Sequence, residues 1–125
     1  MLDHNRMTPI YVQIAEWLEN EILNQRLAAH DKMYSQYQLA DLFNINPATA
    51  GKGITTLLDD DLLYKKRGLG TFVSEHARET IIQKRKDETL QRMIDDLVRE
   101  AEYLDVSQEE LIKRLHQARR EGGSS

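Results

Sequence analysis

The sequence predicts a mainly α-helical fold with one small β-hairpin, arranged as a compact domain of residues 1–74 and a helical tail of residues 75–125. Three observations predict it. Apolar residues recur at helical spacing in three segments before residue 59, two short β-prone runs flank Arg67-Gly68-Leu69-Gly70, and no glycine or proline interrupts the chain from Glu75 to Glu121. A 125-residue chain with 40% hydrophobic and 30% charged residues buries roughly 65 to 70% of the surface its unfolded form exposes, so its core needs no covalent staple.

The first helix is expected from Thr8-Pro9 to about Asn24. Ile10, Ile14, Trp17, Leu18 and Ile22 share one face, with Thr8 as the cap and Pro9 at the first helical position. Residues 27–33 have no helical period and read as a connector. Ser35-Gln36-Tyr37-Gln38 then reads as a capping box, in which the Ser35 hydroxyl takes a backbone N–H and Gln38 reaches back. It opens a short helix that buries Leu39, Ala40, Leu42 and Phe43. Asn44-Ile45-Asn46-Pro47 is a turn into a third helix, with Asn46 as its cap and Pro47 at its first position, running through Thr49, Ile54, Leu57 and Leu58. So short a turn between two short helices makes a helix-turn-helix. After Asp59-Asp60-Asp61, an acidic run that opposes the helix dipole, residues 62–66 and 71–73 are strand-like. The glycines between them supply the positive φ angles of a tight hairpin. Three helices followed by a basic hairpin outline a winged helix-turn-helix.

In the tail, Leu90, Ile94, Leu97, Ala101 and Leu104 step four, three, four, three, the spacing of a heptad seam. A second tail helix starts at Ser107, in a capping box with Glu110. It carries Leu111, Ile112, Leu115 and Ala118 on one face before Gly122-Gly123 stop it. Two amphipathic helices have too little of their own to bury, and a second copy of the chain covers them most simply. Leu90, Ile94, Leu97, Ala101, Leu104, Leu111 and Leu115 are the expected dimerisation residues.

The N-terminal residues of a recognition helix face base edges in the major groove, while its first N–H groups face phosphates. Here those positions hold Asn46, Ala48, Thr49 and Lys52. Base contact by Asn46, methyl or hydroxyl contact by Thr49 and a cationic contact by Lys52 are all chemically available. A plain cap also accounts for Asn46, and solvent exposure for Thr49. Gly51 and Gly53 each cost up to ~1 kcal/mol in a helix relative to alanine, which makes sense where a bare backbone meets either DNA or the first helix closely. Lys65, Lys66 and Arg67 lead into Gly68-Leu69-Gly70, a basic tip suited to lie along a phosphate backbone.

The formal charge of −4, from 17 Lys plus Arg against 21 Asp plus Glu, opposes nucleic-acid binding at face value. Its distribution removes the objection. Glu16, Glu19 and Glu21 lie on the first helix and three aspartates at the far end of the third, while residues 35–52 carry only Asp41 as an acid. Within a Debye length of ~8 Å the local sign governs.

Other function classes find no support. There is no cysteine, no apolar run near the ~20 residues of a membrane span, and the polar start of the chain is unlike a signal peptide, so a cytoplasmic protein without a membrane role is expected. His4, His30, His76 and His116 are scattered and form no metal-ligand spacing, and neither a Walker loop nor a dinucleotide fingerprint occurs. No enzyme, catalytic residue, metal or cofactor is expected.

Pro9-Ile10-Tyr11-Val12-Gln13-Ile14, the stretches 35–40 and 46–57, and Arg67-Gly68-Leu69-Gly70-Thr71-Phe72-Val73 resemble, in order and separation, the DNA-binding domain of the GntR family of bacterial transcription regulators. Two closing helices in place of a large effector domain resemble its YtrA-like subfamily. The resemblance implies a homodimeric regulator, a repressor, that binds an inverted-repeat operator in double-stranded DNA. It carries Ser35, Asn46, Thr49, Lys52 and Gly70 onto matching motif positions. The chain departs from the family pattern at Tyr37 and Gly51, where an arginine is common, at Tyr34, often proline, and at Asp61, often glycine. Without those arginines a bidentate guanine contact has no counterpart, which leaves Gln36, Tyr37 and Gln38 to contribute. The expected DNA-binding set is therefore Ser35, Gln36, Tyr37, Gln38, Asn46, Ala48, Thr49, Lys52, Lys65, Arg67, Gly68 and Gly70.

The alternative is a winged-helix protein-interaction module without specific DNA binding, favoured by the negative charge and the missing arginines. A small-molecule effector of unknown identity would have to bind between the tail helices, between tail and winged domain, or at the dimer interface. Tyr64, Tyr103 and Met93 are candidates to line such a site only in the weakest sense, since core packing is the expected role of each.

Overall fold

Helical spacing of apolar residues sets which faces are buried in the computed structural model, which describes residues 2–122. The chain divides into two compact units, Met1–Lys84 and Arg85–Ser125. In the first, α1 spans Ile10–Leu23 and buries Ile14, Ala15, Leu18 and Ile22. Its N-cap is Pro9, with φ −56° and ψ 149° and no side-chain cap bond. The expected cap, Thr8, instead accepts a bond from Arg6 Nη2 at 3.1 Å. Gln13 is also buried, and its amide holds the preceding loop by donating to the carbonyls of Asp3 (2.8 Å) and Thr8 (3.0 Å).

Helix α2, Gln36–Phe43, starts on the expected capping box: the Ser35 hydroxyl accepts from the Gln38 N–H at 3.1 Å, and Gln38 Oε1 from the Ser35 N–H at 2.8 Å. Leu39, Ala40 and Phe43 are buried, whereas Leu42, expected in the core, is 51% exposed. It falls outside the face that the other three share. Helix α3, Pro47–Asp59, is capped by Asn46 Oδ1, which accepts from the Ala48 N–H at 2.8 Å, and it buries Ala50, Gly53, Ile54 and Leu57. Trp17 packs edge-on against Phe43 at 5.0 Å and lies 5.8 Å from Tyr34.

The end of α3 accounts for part of its acidic run. Asp61 sits in the left-handed region at φ 59°, donating to Leu58 O at 3.0 Å while Leu62 donates to Leu57 O at 3.0 Å. This paired closure usually uses glycine, and short polar side chains tolerate it better than most. Asp60 lies 3.4 Å from Lys84 Nζ, which also approaches Glu19 at 3.7 Å. Asp61→Gly therefore removes both a strained φ and an anion facing the helix dipole. It is expected to raise stability by about 0.5–1 kcal/mol in urea unfolding, and a loss of stability contradicts this reading.

Strands β1, Leu63–Lys66, and β2, Gly70–Val73, pair antiparallel with Leu63 opposite Val73 and Lys66 opposite Gly70. Leu63 and Val73 face the core. On the other face Tyr64 stacks on Phe72 at 5.8 Å and Lys66 Nζ lies 5.1 Å over the Phe72 ring. Part of the supposed connector 27–33 extends this ribbon: His30 donates to Val73 O (2.7 Å), Val73 to Asp31 O (2.9 Å) and Met33 to Thr71 O (2.8 Å). A stretch this short shows no alternation from which pairing can be read. Helix α4, Ala77–Arg85, adds Ala77 and Ile81 to the same core. Packing thus carries the first unit about ten residues past the change in composition near residue 74.

In the second unit a π-helical turn, Lys86–Leu90, leads into α5, Gln91–Tyr103, and α6 spans Gln108–Gly122. Ser107 Oγ accepts from the Glu110 N–H at 3.2 Å, but the Glu110 carboxylate takes the Arg114 Nε at 2.9 Å instead of completing the expected box. Gly123, the second expected stop, lies outside the described residues. Ala101 is buried and Leu111 half-buried, while Leu90, Ile94, Leu97, Leu104 and Leu115 are exposed. Met93 and Tyr103 are exposed too, so core packing does not account for them, whereas Tyr64 is half-buried against Phe72.

Candidate nucleic-acid interface

The N-terminus of α2, the middle of α3 and the turn-proximal half of the hairpin surround one groove of about 290 Å³. Ser35, Gln36 and Tyr37 line it from α2, Gly51 and Thr55 from α3, and Lys65, Gly70 and Thr71 from the strands. Lys32 closes the side next to the hairpin, and no acidic residue lines the groove. Each position follows from local folding. The capping box starts α2 at Gln36, so Tyr37 projects from its first turn and is 66% exposed. Strand alternation turns Lys65 and Thr71 to the α3 side and Lys66 away from it.

The two α3 glycines have different causes. A Cβ on Gly53 would lie 2.6 Å from Ile14 Cγ2 and 3.1 Å from the Tyr11 carbonyl oxygen, so this glycine seats α3 against α1. The three atoms nearest a Cβ on Gly51 all belong to the Gln36 side chain, with Oε1 at 3.0 Å. Gly51 therefore faces α2, an alternative that neither the DNA nor the first-helix reading included. In the hairpin Gly68 and Gly70 have φ of 78° and 118°, as the tight turn requires.

The expected site residues separate into two groups. Ser35, Gln36, Tyr37, Lys65 and Gly70 line the groove, and Gln38 lines an adjoining recess with Ser35 and Lys32. Asn46, Ala48, Thr49 and Lys52 belong to the start of α3, and Arg67 and Gly68 to the exposed hairpin tip, outside the groove lining. Asn46 Oδ1 is engaged in the cap. Lys52 Nζ lies 4.3 Å over the Tyr11 ring. Among the described residues Lys32, Lys65 and Arg67 are exposed and enter none of the ion pairs. Arg26, by contrast, is held above the ordinary arginine value by its hydrogen bond to Glu21 and then by that charge.

Three contributors escaped the reading of the sequence. Lys32 lay in an apparent connector, and its only signal is a cation three residues before a helix cap. Thr55 reaches the groove while its hydroxyl donates to Gly51 O at 3.0 Å, and Tyr11 carried no signal beyond its motif. Among the described residues no three His, Asp or Glu side chains converge as metal ligands, and no helix is long and apolar enough to cross a membrane.

Comparison with known proteins places this architecture. Residues 10–73 match the bacterial regulatory proteins of the gntR family. The chain is 30% identical over 110 residues to the HTH-type transcriptional repressor YtrA of Bacillus subtilis (strain 168), covering 88% of this chain and 84% of that protein. A GntR family transcriptional regulator from Listeria monocytogenes superposes with a TM-score of 0.75 at 25% identity, over 93% of this chain and 98% of that one. The DNA-binding domain of AraR, solved in complex with an operator, superposes with a TM-score of 0.54 at 27% identity, over 59% of this chain and 93% of that one. With a helix-turn-helix and wing in sequence and structure and a family match across more than half its length, the chain belongs to the GntR family of bacterial regulatory proteins.

Proposed function

We propose that the chain is a cytoplasmic transcriptional repressor that binds an inverted-repeat operator as a homodimer, with no catalytic role. The carrying observation is the groove where α2, α3 and the hairpin meet, flanked by Lys32 and Lys65 and free of acids. Each protomer inserts the start of α3 into the major groove. Ala48 and Thr49 meet base edges there, and Gln36 and Tyr37 reach flanking positions. Lys52, Lys65, Arg67 and the first N–H groups of α2 hold phosphates, while Gly68 and Gly70 let the hairpin backbone approach. The exposed apolar face of the tail, with Ile94 and Leu97 at its centre, joins the two protomers. Two-fold symmetry then sets the half-sites about one helical turn apart, or a multiple of it. A small-molecule effector would act through the tail.

Neutralising Lys65 and Arg67 tests the phosphate contacts. A dimer loses up to four of them, so the slope of log affinity against log salt shrinks by about 3 to 4. Fluorescence anisotropy on the promoter-region duplex between ~50 and ~200 mM salt reads this. An unchanged slope removes the hairpin from the interface.

A further inference from the structure

Lys52 is the only cation on α3, and it does not project freely. Its Nζ rests 4.3 Å from the centroid of the Tyr11 ring, on the first turn of α1. The neighbouring residue makes this contact available. Gly53 lets α1 approach so closely that a Cβ there would stand 3.1 Å from the Tyr11 carbonyl oxygen, and this approach brings the ring beneath the lysine.

A free lysine side chain loses much rotamer entropy when it is fixed on a phosphate. A ring face on the protein side holds the ammonium by its quadrupole and leaves N–H donors directed outward. We infer that Tyr11 is a positioning residue for DNA binding. It pre-orders the Lys52 ammonium over its ring, beside α3, so that less freedom is lost on contact with the DNA backbone. This rests on the reading of Lys52 as a DNA contact given above. No part of it requires Tyr11 to touch DNA, and the tyrosine hydroxyl is dispensable.

A double-mutant cycle tests it, using a duplex that the wild-type protein selects from a random pool. Tyr11→Leu is expected to weaken operator binding by the dimer about five- to thirtyfold, two exposed cation–π contacts being lost, one per protomer. Tyr11→Phe keeps the ring face and is expected to bind within about twofold of wild type. In a Lys52→Met background, Tyr11→Leu is expected to cost nothing further. Melting curves of each variant separate folding from binding, and Tyr11→Met, which fills a similar volume without a ring, replaces the leucine variant if that one unfolds.

Equal losses from Tyr11→Leu in both backgrounds overturn the positioning role while leaving the Lys52 contact in place. A Tyr11→Phe variant as weak as Tyr11→Leu also overturns it, because the hydroxyl is then what matters. If Lys52→Met binds like wild type, the Lys52 contact and the role of Tyr11 fall together, while the test on Lys65 and Arg67 still reports on the rest of the interface.

Discussion

Gly53→Ala is expected to destabilise the protein by about 2 kcal/mol, although alanine is the better helix former. The gain in helix propensity is ~1 kcal/mol. Against it stands a methyl group placed 2.6 Å from Ile14 Cγ2, 2.9 Å from its Cβ and 3.1 Å from a backbone oxygen. Ile14 is fully buried, so neither it nor the backbone can move aside without displacing the core. Overpacking of this kind costs about 1–3 kcal/mol, and the rigid surroundings put it at the upper end. For a domain of this size the net loss lowers the midpoint of thermal unfolding by roughly 8–16 °C. Gly51→Ala serves as the internal control. Its tightest contact is the flexible end of Gln36, with Oε1 at 3.0 Å, so it is expected to unfold at or above the wild-type temperature. Two helix glycines separated by one residue thus give opposite signs. A Gly53→Ala protein as stable as wild type contradicts the close α1–α3 seat.

The second large effect belongs to the tail. Ile94 and Leu97 are 41% and 40% exposed, and Leu90, Leu104 and Leu115 are exposed as well. A charged side chain in an apolar contact must be desolvated without a partner. Replacing Ile94 and Leu97 together by aspartate is therefore expected to convert a dimer into a monomer at micromolar concentration, as read by sedimentation. Operator affinity is expected to fall by a factor on the order of 10² or more, since the second half-site is no longer delivered by a tethered copy. The winged domain keeps its core, so its melting behaviour changes little. A double variant that remains dimeric assigns the association to another surface.

Elements whose signals are local were legible in the sequence. The Ser35 box and the Asn46 cap with Pro47 are specified within four residues, and the structure forms both. The hairpin register follows from strand alternation and the positive φ of Gly68 and Gly70. What was not legible depends on contacts distant in sequence. Residues 30–33 join the hairpin through bonds to Val73 and Thr71, forty residues away in the chain. Nothing in their own pattern announces that pairing. Leu42 looks like core by type and spacing, yet the short α2 has only one face to bury and Leu42 lies off it. Lys32 enters the groove because that distant pairing carries it there, and the ring beneath Lys52 depends on how closely α1 and α3 pack. The candidate interface was therefore readable as a list of helix and hairpin residues, but its shape and the arrangement of its cations were not.

Selection of bound duplexes from a random DNA pool with the wild-type protein, followed by sequencing, tests the central claim most directly. The predicted result is one enriched inverted repeat whose half-sites are separated by about one helical turn or a multiple of it. A pool that remains unenriched, with equal affinity for scrambled duplexes at ~50 mM salt, would contradict it.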